Sequence, residues 1–385
     1  MYLTGGVVRD LLLGRTVRDV DLAVEGEALE FARRLGDRLG AEVRAHPRFG
    51  TASLLLPGGE RLDVAATRAE SYPRPGGLPV VRIGAAIVED LARRDFTINA
   101  LAIDLARGAK LLDPHGGRRD LARGRIRILH PGSFIDDPTR ALRAARYAKR
   151  LGFRLDPETR RRLREALAAG ALDRISADRL RRELRLILEE PDRPAAAVRM
   201  RGLGLDAAID PSLGSRSGAP SRLRRAERIS AVASGRTGWL CYLLAWMGSA
   251  SADEMRGLAA RLGLAGSERR QAIAWPATVA RLSAGLGRQA PSEVRRSAAG
   301  LSPDELVAAA SILSAADARA LLRSTLTADV PRLSIRGADL RAAGVPAGPA
   351  IGRALEQTLA AREDGRIGPT EELAFALRAA RGQHP

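Results

Sequence analysis

The sequence predicts an α/β domain, a mixed sheet with helices, followed by an all-helical remainder. Three observations carry this reading. Short β-like runs alternate with helical ones from Thr4 to about Ile128, strand signals fade after about His130, and apolar residues then recur at helical spacing to the end. A length of 385 residues accommodates two to three domains.

The elements follow in order. Residues 18–24 read as a strand with Val20, Leu22 and Val24 on one face. Residues 52–56 and 61–65 flank Pro57-Gly58-Gly59, the signature of a hairpin. In the helical part, Leu142, Ala145, Tyr147 and Leu151 mark the buried side of one helix, and Leu180, Leu184, Ile187 and Leu188 that of another. Breaks at 191–194, 214–221 and 285–291 serve as boundaries, and a Gly/Pro-rich loop at 344–352 interrupts the tail. The resulting division is 1–128, 129–193, 194–290 and 291–385. No repeat of fixed period is present.

Composition bounds the function. The chain carries 63 Lys plus Arg against 45 Asp plus Glu, a formal charge of +18, with 45% hydrophobic residues. That excludes a disordered tail and a disulfide scaffold. The basic excess is almost all arginine, since Lys110 and Lys149 are the only lysines, so a GC-rich genome accounts for it as readily as a polyanionic partner does. Cys241 is the only cysteine and sits in an apolar stretch, which predicts a buried small hydrophobe. No apolar run approaches the ~20 residues that span a bilayer, and Met1 does not lead into a signal sequence; a cytoplasmic location is expected.

Chemistry concentrates in the first half. Asp19 and Asp21, two apart on one predicted strand, put both carboxylates on one face, an arrangement that a divalent cation relieves. Asp63, between Leu62 and Val64 on the second hairpin strand, supplies a third. Hard oxygens without neighbouring His or Cys favour Mg²⁺, and three converging carboxylates can hold two such ions. Gly5 and Gly6 precede a short helix bearing Arg9, which suits a phosphate; the absence of a following lysine excludes a Walker loop. Arg94, Asp95 and Asn99, within about a turn of one another, offer donors and an acceptor for a ribose and its phosphates. Asp136-Asp137-Pro138-Thr139-Arg140 opens a helix on which Arg140, Arg143 and Arg146 recur every three residues, read as one basic face.

Taken in order, Gly5-Gly6-Val7-Val8-Arg9-Asp10, Asp19-x-Asp21, Leu62-Asp63-Val64, the string from Arg93 to Ala100, Asp136-Asp137-x-x-Arg140 and the segment from Ser176 to Leu184 resemble the bacterial class II tRNA nucleotidyltransferases and their poly(A) polymerase relatives. The tail, from Gly337 through Gly344 to Gly352, is similar as well. The resemblance implies an α/β nucleotidyltransferase head (1–128) followed by an all-α neck, body and tail. It implies that Asp19, Asp21 and Asp63 bind two Mg²⁺ ions, with Asp63 nearest the attacking hydroxyl. Gly6 and Arg9 would meet the nucleotide phosphates, and Arg94, Asp95 and Asn99 the sugar. Asp137 and Arg140 would read the base edge, while Arg143 and Arg146 hold the nucleotide. One departure is Asp136, where the family usually has Glu.

The implied reaction is template-independent transfer of C or A from CTP or ATP to the 3′ end of tRNA, with pyrophosphate leaving. The helical part would grip the acceptor arm by phosphate and shape. CCA, CC-only, A-only and poly(A) addition share the pattern, and the loop at 71–79 is where a switch from C to A would act. A non-catalytic RNA-binding relative is the competing class, opposed by the intact acids. None of His46, His115, His130 and His384 is followed by Asp, which argues against an added phosphohydrolase.

Overall fold

The computed structural model describes residues 1–17, 20–232, 237–326 and 331–382. They fall into two compact units, Met1–Ile187 with Val198–Gly214, and Leu188–Ala197 with Ser215–Pro385.

The first unit opens with β1 (Tyr2–Thr4), α1 (Gly6–Leu12), β2 (Val20–Val24), α2 (Ala28–Leu39), β3 (Glu42–His46), β4 (Thr51–Leu55) and β5 (Arg61–Ala66). There follow β6 (Arg68–Ser71), β7 (Val80–Ile83), α3 (Ile87–Ala92), β8 (Ala102–Asp104) and β9 (Lys110–Leu112). Seven strands form one sheet in the order β3-β4-β5-β2-β1-β8-β9. The β2–β5 pair is parallel and the others are antiparallel, so the predicted mixed sheet is present, with the predicted hairpin as β4–β5.

The alternation along β2 decides what reaches the site. Leu22 and Val24 join Leu54 and Val64 in a core closed by Ala28 and Ala32 of α2. On the other face Ala23 is buried under Ile87 and Leu91 of α3, whereas Asp21, two residues earlier on that face, is exposed. Period-two geometry thus places a carboxylate on the stretch of sheet that α3 leaves uncovered.

Beyond the sheet come α4 (Gly117–Ala122), β10 (Arg125–Ile126), α5 (Ser133–Asp136), α6 (Thr139–Leu151), β11 (Arg154–Leu155), α7 (Pro157–Ala168) and α8 (Ala177–Glu189). On α6, Leu142, Ala145 and Leu151 are buried as expected. Tyr147 is not in that core; it sits about 140° around the helix from Leu142 and lines a cavity. Leu180, Leu184, Ile187 and Leu188 of α8 are all buried.

The chain continues through α9 (Arg193–Leu203), α10 (Leu205–Ile209), α11 (Pro211–Gly214), α12 (Ala219–Val232), α13 (Trp239–Met247), α14 (Ala252–Arg261) and α15 (Gly266–Leu282). It closes with α16 (Pro291–Ser297), α17 (Pro303–Ile312), α18 (Ala315–Thr325), α19 (Gly337–Ala342), α20 (Pro349–Glu363) and α21 (Glu372–Ala380). All nine residues of α13 are buried, Cys241 among them, so the helix is apolar all round because it is enclosed all round. The loop expected at 344–352 ends sooner, since Pro349 begins α20: its missing N–H costs nothing at the first helical position. Among the described residues, no helix is long and apolar enough to cross a membrane.

Candidate active site

A cavity of about 830 Å³ opens in the first unit, walled by the start of α1, the start of β2, the segment from Arg93 to Asn99, and α6. It brings together nine of the predicted residues: Gly6, Arg9, Asp21, Arg94, Asp95, Asn99, Asp137, Arg140 and Arg143.

One wall is a continuous hydrogen-bonded chain. Arg9 is buried, with Nε and Nη2 donating to Asp10 (2.9 and 2.8 Å) and Nη1 to Asn99 Oδ1 (2.8 Å). Asn99 Nδ2 donates to Asp95 Oδ1 at 2.9 Å, and Asp95 Oδ2 lies 2.7 Å from Arg143 Nη2. The Asp95 carboxylate, opposed by burial, holds the Arg143 guanidinium above its ordinary pKa. Asp95 is 4% and Asn99 6% exposed, so this relay fixes α1, the turn at 97–99 and α6 in one geometry. Arg9 is therefore tied to Asp10 and Asn99 within the cavity wall, where the helix position alone suggested a side chain free to reach an anion.

Arg94 lies against Gly5. Its Nη2 donates to Asp90 Oδ2 at 2.9 Å, and a Cβ built on Gly5, where φ is +75°, would stand 2.5 Å from Arg94 Nη1. Glycine is needed here for the left-handed backbone, and a side chain would also displace the end of Arg94. Arg94 Nε is buried and bonds to nothing among the described residues.

The same cavity is also lined by the Asp137 and Arg140 pair. Asp137 Oδ1 accepts from Thr139 N (3.0 Å), Thr139 Oγ1 (2.6 Å) and Arg179 Nη2 (2.7 Å), which leaves Oδ2 without a partner among the described residues. Arg140 is 3% exposed; Nη1 donates to Ser133 Oγ (2.7 Å) and Nη2 to the Arg93 carbonyl (2.8 Å). Its guanidinium is 5.7 Å from the Tyr72 ring centre. Burial, then Glu70, pushes the Tyr72 phenol up to about 12.

Arg146 falls elsewhere. The α6 residues lining the cavity are Arg140, Arg143, Tyr147 and Arg150, whereas Arg146 pairs with Glu183 of α8 at 3.5 Å. A step of three residues stops about 60° short of a turn, so two such steps leave Arg146 about 120° around the helix from Arg140 and the three arginines do not share a face. Alternating steps of three and four do. Tyr147 and Arg150 were legible by that rule; Tyr72 and Arg179 lie in the segments 71–79 and 176–184 that the sequence singles out, but it assigns neither residue a role at the site.

Asp21 stands at the edge of the cavity. Its register partner on the adjacent parallel strand is Asp63, and both side chains leave the sheet opposite Leu22 and Val64. Asp63 Oδ1 accepts from Ser53 Oγ (2.5 Å) and Arg61 Nε (3.0 Å). Asp19 lies outside the described residues, and among those described no group of three metal-ligating side chains forms. Paired carboxylates on open sheet suit a hard divalent cation.

The Poly A polymerase head domain matches residues 1–127. The CC-adding tRNA nucleotidyltransferase of Deinococcus radiodurans is 33% identical across 100% of this chain and 90% of its own length. The chain belongs to the tRNA nucleotidyltransferase family. The A-adding tRNA nucleotidyltransferase of Geobacter sulfurreducens is 36% identical across 99% of this chain, which spans 45% of that relative; in the A-adding relatives of Aquifex aeolicus and Halalkalibacterium halodurans the share is 23% and 46%. Family members of solved structure agree in fold. A CCA-adding enzyme in apo form II gives a TM-score of 0.87 at 31% identity over 98% of this chain and 91% of its own. The Thermotoga maritima CCA-adding enzyme complexed with tRNA gives 0.80 at 30% identity over 100% and 91%.

Proposed function

We propose that this family member adds C, A or both from CTP and ATP to the 3′ end of tRNA without a nucleic-acid template, working in the cytoplasm. The observation that carries the reading is the pair Asp137 and Arg140, fixed in the cavity wall by five side-chain hydrogen bonds that leave Asp137 Oδ2 open. An acceptor beside a guanidinium suits the exocyclic amine and ring acceptors shared by C and A, and disfavours G and U. Protein groups then select the base, and no template is required.

Asp19, Asp21 and Asp63 would hold two Mg²⁺ ions. When bound, such ions lower the barrier to attack by the primer hydroxyl and neutralise the leaving pyrophosphate. The chain's own residues do the rest. Gly6 lets the α1 backbone approach the phosphates, beside Arg9, which Asp10 and Asn99 hold in the wall; Arg94, Asp95 and Asn99 serve the sugar, and Arg143 holds the nucleotide and nearby phosphates. Arg146, paired with Glu183, supports α6 from behind. Within this reading residues 1–128 form the catalytic head, 129–193 the neck with the base-reading site, 194–290 the body and 291–385 a tail that holds the tRNA acceptor arm.

A second reading, A-only addition, is favoured by identities of 50% over 191 residues and 44% over 196 residues to A-adding relatives. The test is incubation with tRNA lacking its last one, two or three nucleotides, with CTP and ATP supplied separately and together. Growth of the shortest substrate by three supports full CCA addition, growth only of tRNA ending in CC supports the second reading, and no growth with any of them overturns both.

A further inference from the structure

The turn at 97–99 borders a second recess, of about 490 Å³, that the site described above does not use: Asp95 and Asn99 line the first cavity, Thr97 lines this one. Arg119, Arg127 and His115 line it together with Pro114 and Leu129, and among the described residues no acid does. The two guanidiniums converge. Gly116 has φ +74°, and a Cβ built on it would stand 3.4 Å from Arg127 Nη2 and 3.8 Å from Arg119 Nη2, so both nitrogens reach toward one point, a separation that the oxygens of one phosphate can bridge. Arg119 is exposed and pairs with no acid among the described residues. Arg127 donates from Nε to Asp120 Oδ2 and from Nη2 to the His115 carbonyl, each at 2.8 Å; Nη2 has a second hydrogen to offer. His115 Nε2 is buried and bonds to nothing among the described residues. Burial, opposed by Asp113 and reinforced by Arg127, holds this imidazole below its ordinary pKa. The backbone at the start of α4 is already satisfied, because Gly117 N and Arg118 N donate to Asp113 at 2.6 and 3.0 Å.

We infer that this recess binds a phosphate-class oxyanion between Arg119 and Arg127, and that its occupant loosens the hold on the nucleotide through Arg127. Only the second half rests on the reading of Asp95 and Asn99 as nucleotide contacts. Two guanidiniums with no acid in the lining favour an anion, and their planar forks match phosphate oxygens. A phosphate oxygen, protonated or not, also gives the orphaned His115 nitrogen a partner. The volume exceeds that of a lone phosphate, so a phosphate within an RNA backbone fits as well as a free one. The link to the first cavity is Asp120. Its Oδ2 accepts from Arg127 Nε and, at 2.7 Å, from Thr97 Oγ1, while the Arg127 carbonyl accepts from Thr97 N at 2.9 Å. An anion that draws the Arg127 guanidinium outward competes with Asp120 for it. The slack falls on Thr97, two positions from both Asp95 and Asn99.

The experiment titrates inorganic phosphate into the full chain at constant ionic strength, with chloride as the balancing anion, and follows the imidazole NMR signals of His115, assigned by their loss in His115→Gln. The inference expects a saturable shift of those signals. Arg119→Gln, at an exposed position outside the nucleotide cavity, should keep the wild-type rate in chloride and weaken phosphate binding about tenfold, the size of one charge-assisted hydrogen bond. A parallel arm replaces phosphate by tRNA. A His115 shift with tRNA that added phosphate reverses assigns the seat to an RNA backbone phosphate, and a shift with inorganic phosphate alone assigns it to a free anion. No shift with either probe, or equal phosphate affinity in Arg119→Gln, overturns the site. In incorporation assays on a primer tRNA, phosphate should raise the KM for the preferred nucleotide with kcat little changed, and Arg119→Gln should move that effect to about tenfold higher phosphate. The same rise at the same phosphate concentration in the variant places the ion in the nucleotide cavity and overturns the link, as does a KM that phosphate leaves unchanged. Absence of incorporation by wild type instead overturns the underlying reading, while the NMR titration still decides the site.

Discussion

Asp21 and Asp63 owe their place to register. Replacement of Asp21 by Ala removes one of two neighbouring carboxylates from the open sheet face. Incorporation should fall on the order of 10³-fold while tRNA binding is retained or strengthened, and a gel-shift alongside single-turnover kinetics checks both. Activity within tenfold of wild type would remove Asp21 from the metal site. Arg140→Ala should lower rate and also discrimination against UTP and GTP, by the ~1–3 kcal/mol of a lost bidentate contact. A slower variant with full preference for C and A would place base reading elsewhere. Asp90 offers a different handle. Burial acts to raise its pKa, but Arg94 and Arg93 together outweigh it and the net shift is below the ordinary 3.8. The stabilisation from this pairing is therefore complete above pH 3.8 and is lost as pH falls through the lower folded value. Asp90→Asn should cost about 3 kcal/mol at pH 7 and flatten the acid limb of the stability curve, as read by urea melts from pH 2 to 7.

Between residue and fold, the elements show what a linear pattern can and cannot reveal. The β4–β5 hairpin and the strand carrying Asp21 follow from alternation and a Pro-Gly-Gly turn, which are local properties. The buried face of α8 follows from period 3.6 in the same way. The relay from Arg9 to Asn99 spans 90 positions and the Arg179 to Asp137 bond 42, and such pairings are set by tertiary packing that no window contains. Arg146 illustrates the intermediate case, where a regular step of three imitates a face until it is measured against the true period. Element α13 yields a direct test. Enclosure raises the Cys241 thiol well above its usual pKa, chiefly through burial. A thiol reagent should leave native protein unmodified over hours and react stoichiometrically in denaturant; rapid native labelling would mean that α13 opens.

At the scale of the molecule, the charge of +18 had two readings that composition could not separate. Phosphate contact predicts that the logarithm of tRNA affinity falls with the logarithm of salt by about 0.7 to 0.9 per phosphate neutralised. Titration with tRNA, using a DNA duplex of similar charge as competitor, checks it. Preference for tRNA together with a steep slope supports recognition by shape and phosphate, whereas equal affinity for both would reduce the arginines to solvation.

Every cation in the cavity wall is a guanidinium, and neither lysine of the chain lines it. Guanidinium does not lose its proton in the accessible pH range and is not acylated by reagents or enzymes that modify amines. The site is thus chemically silent to acetylation and to amine-directed labels. An arginine-directed dicarbonyl should inactivate it, and bound nucleotide should slow that inactivation by covering the exposed part of the same wall.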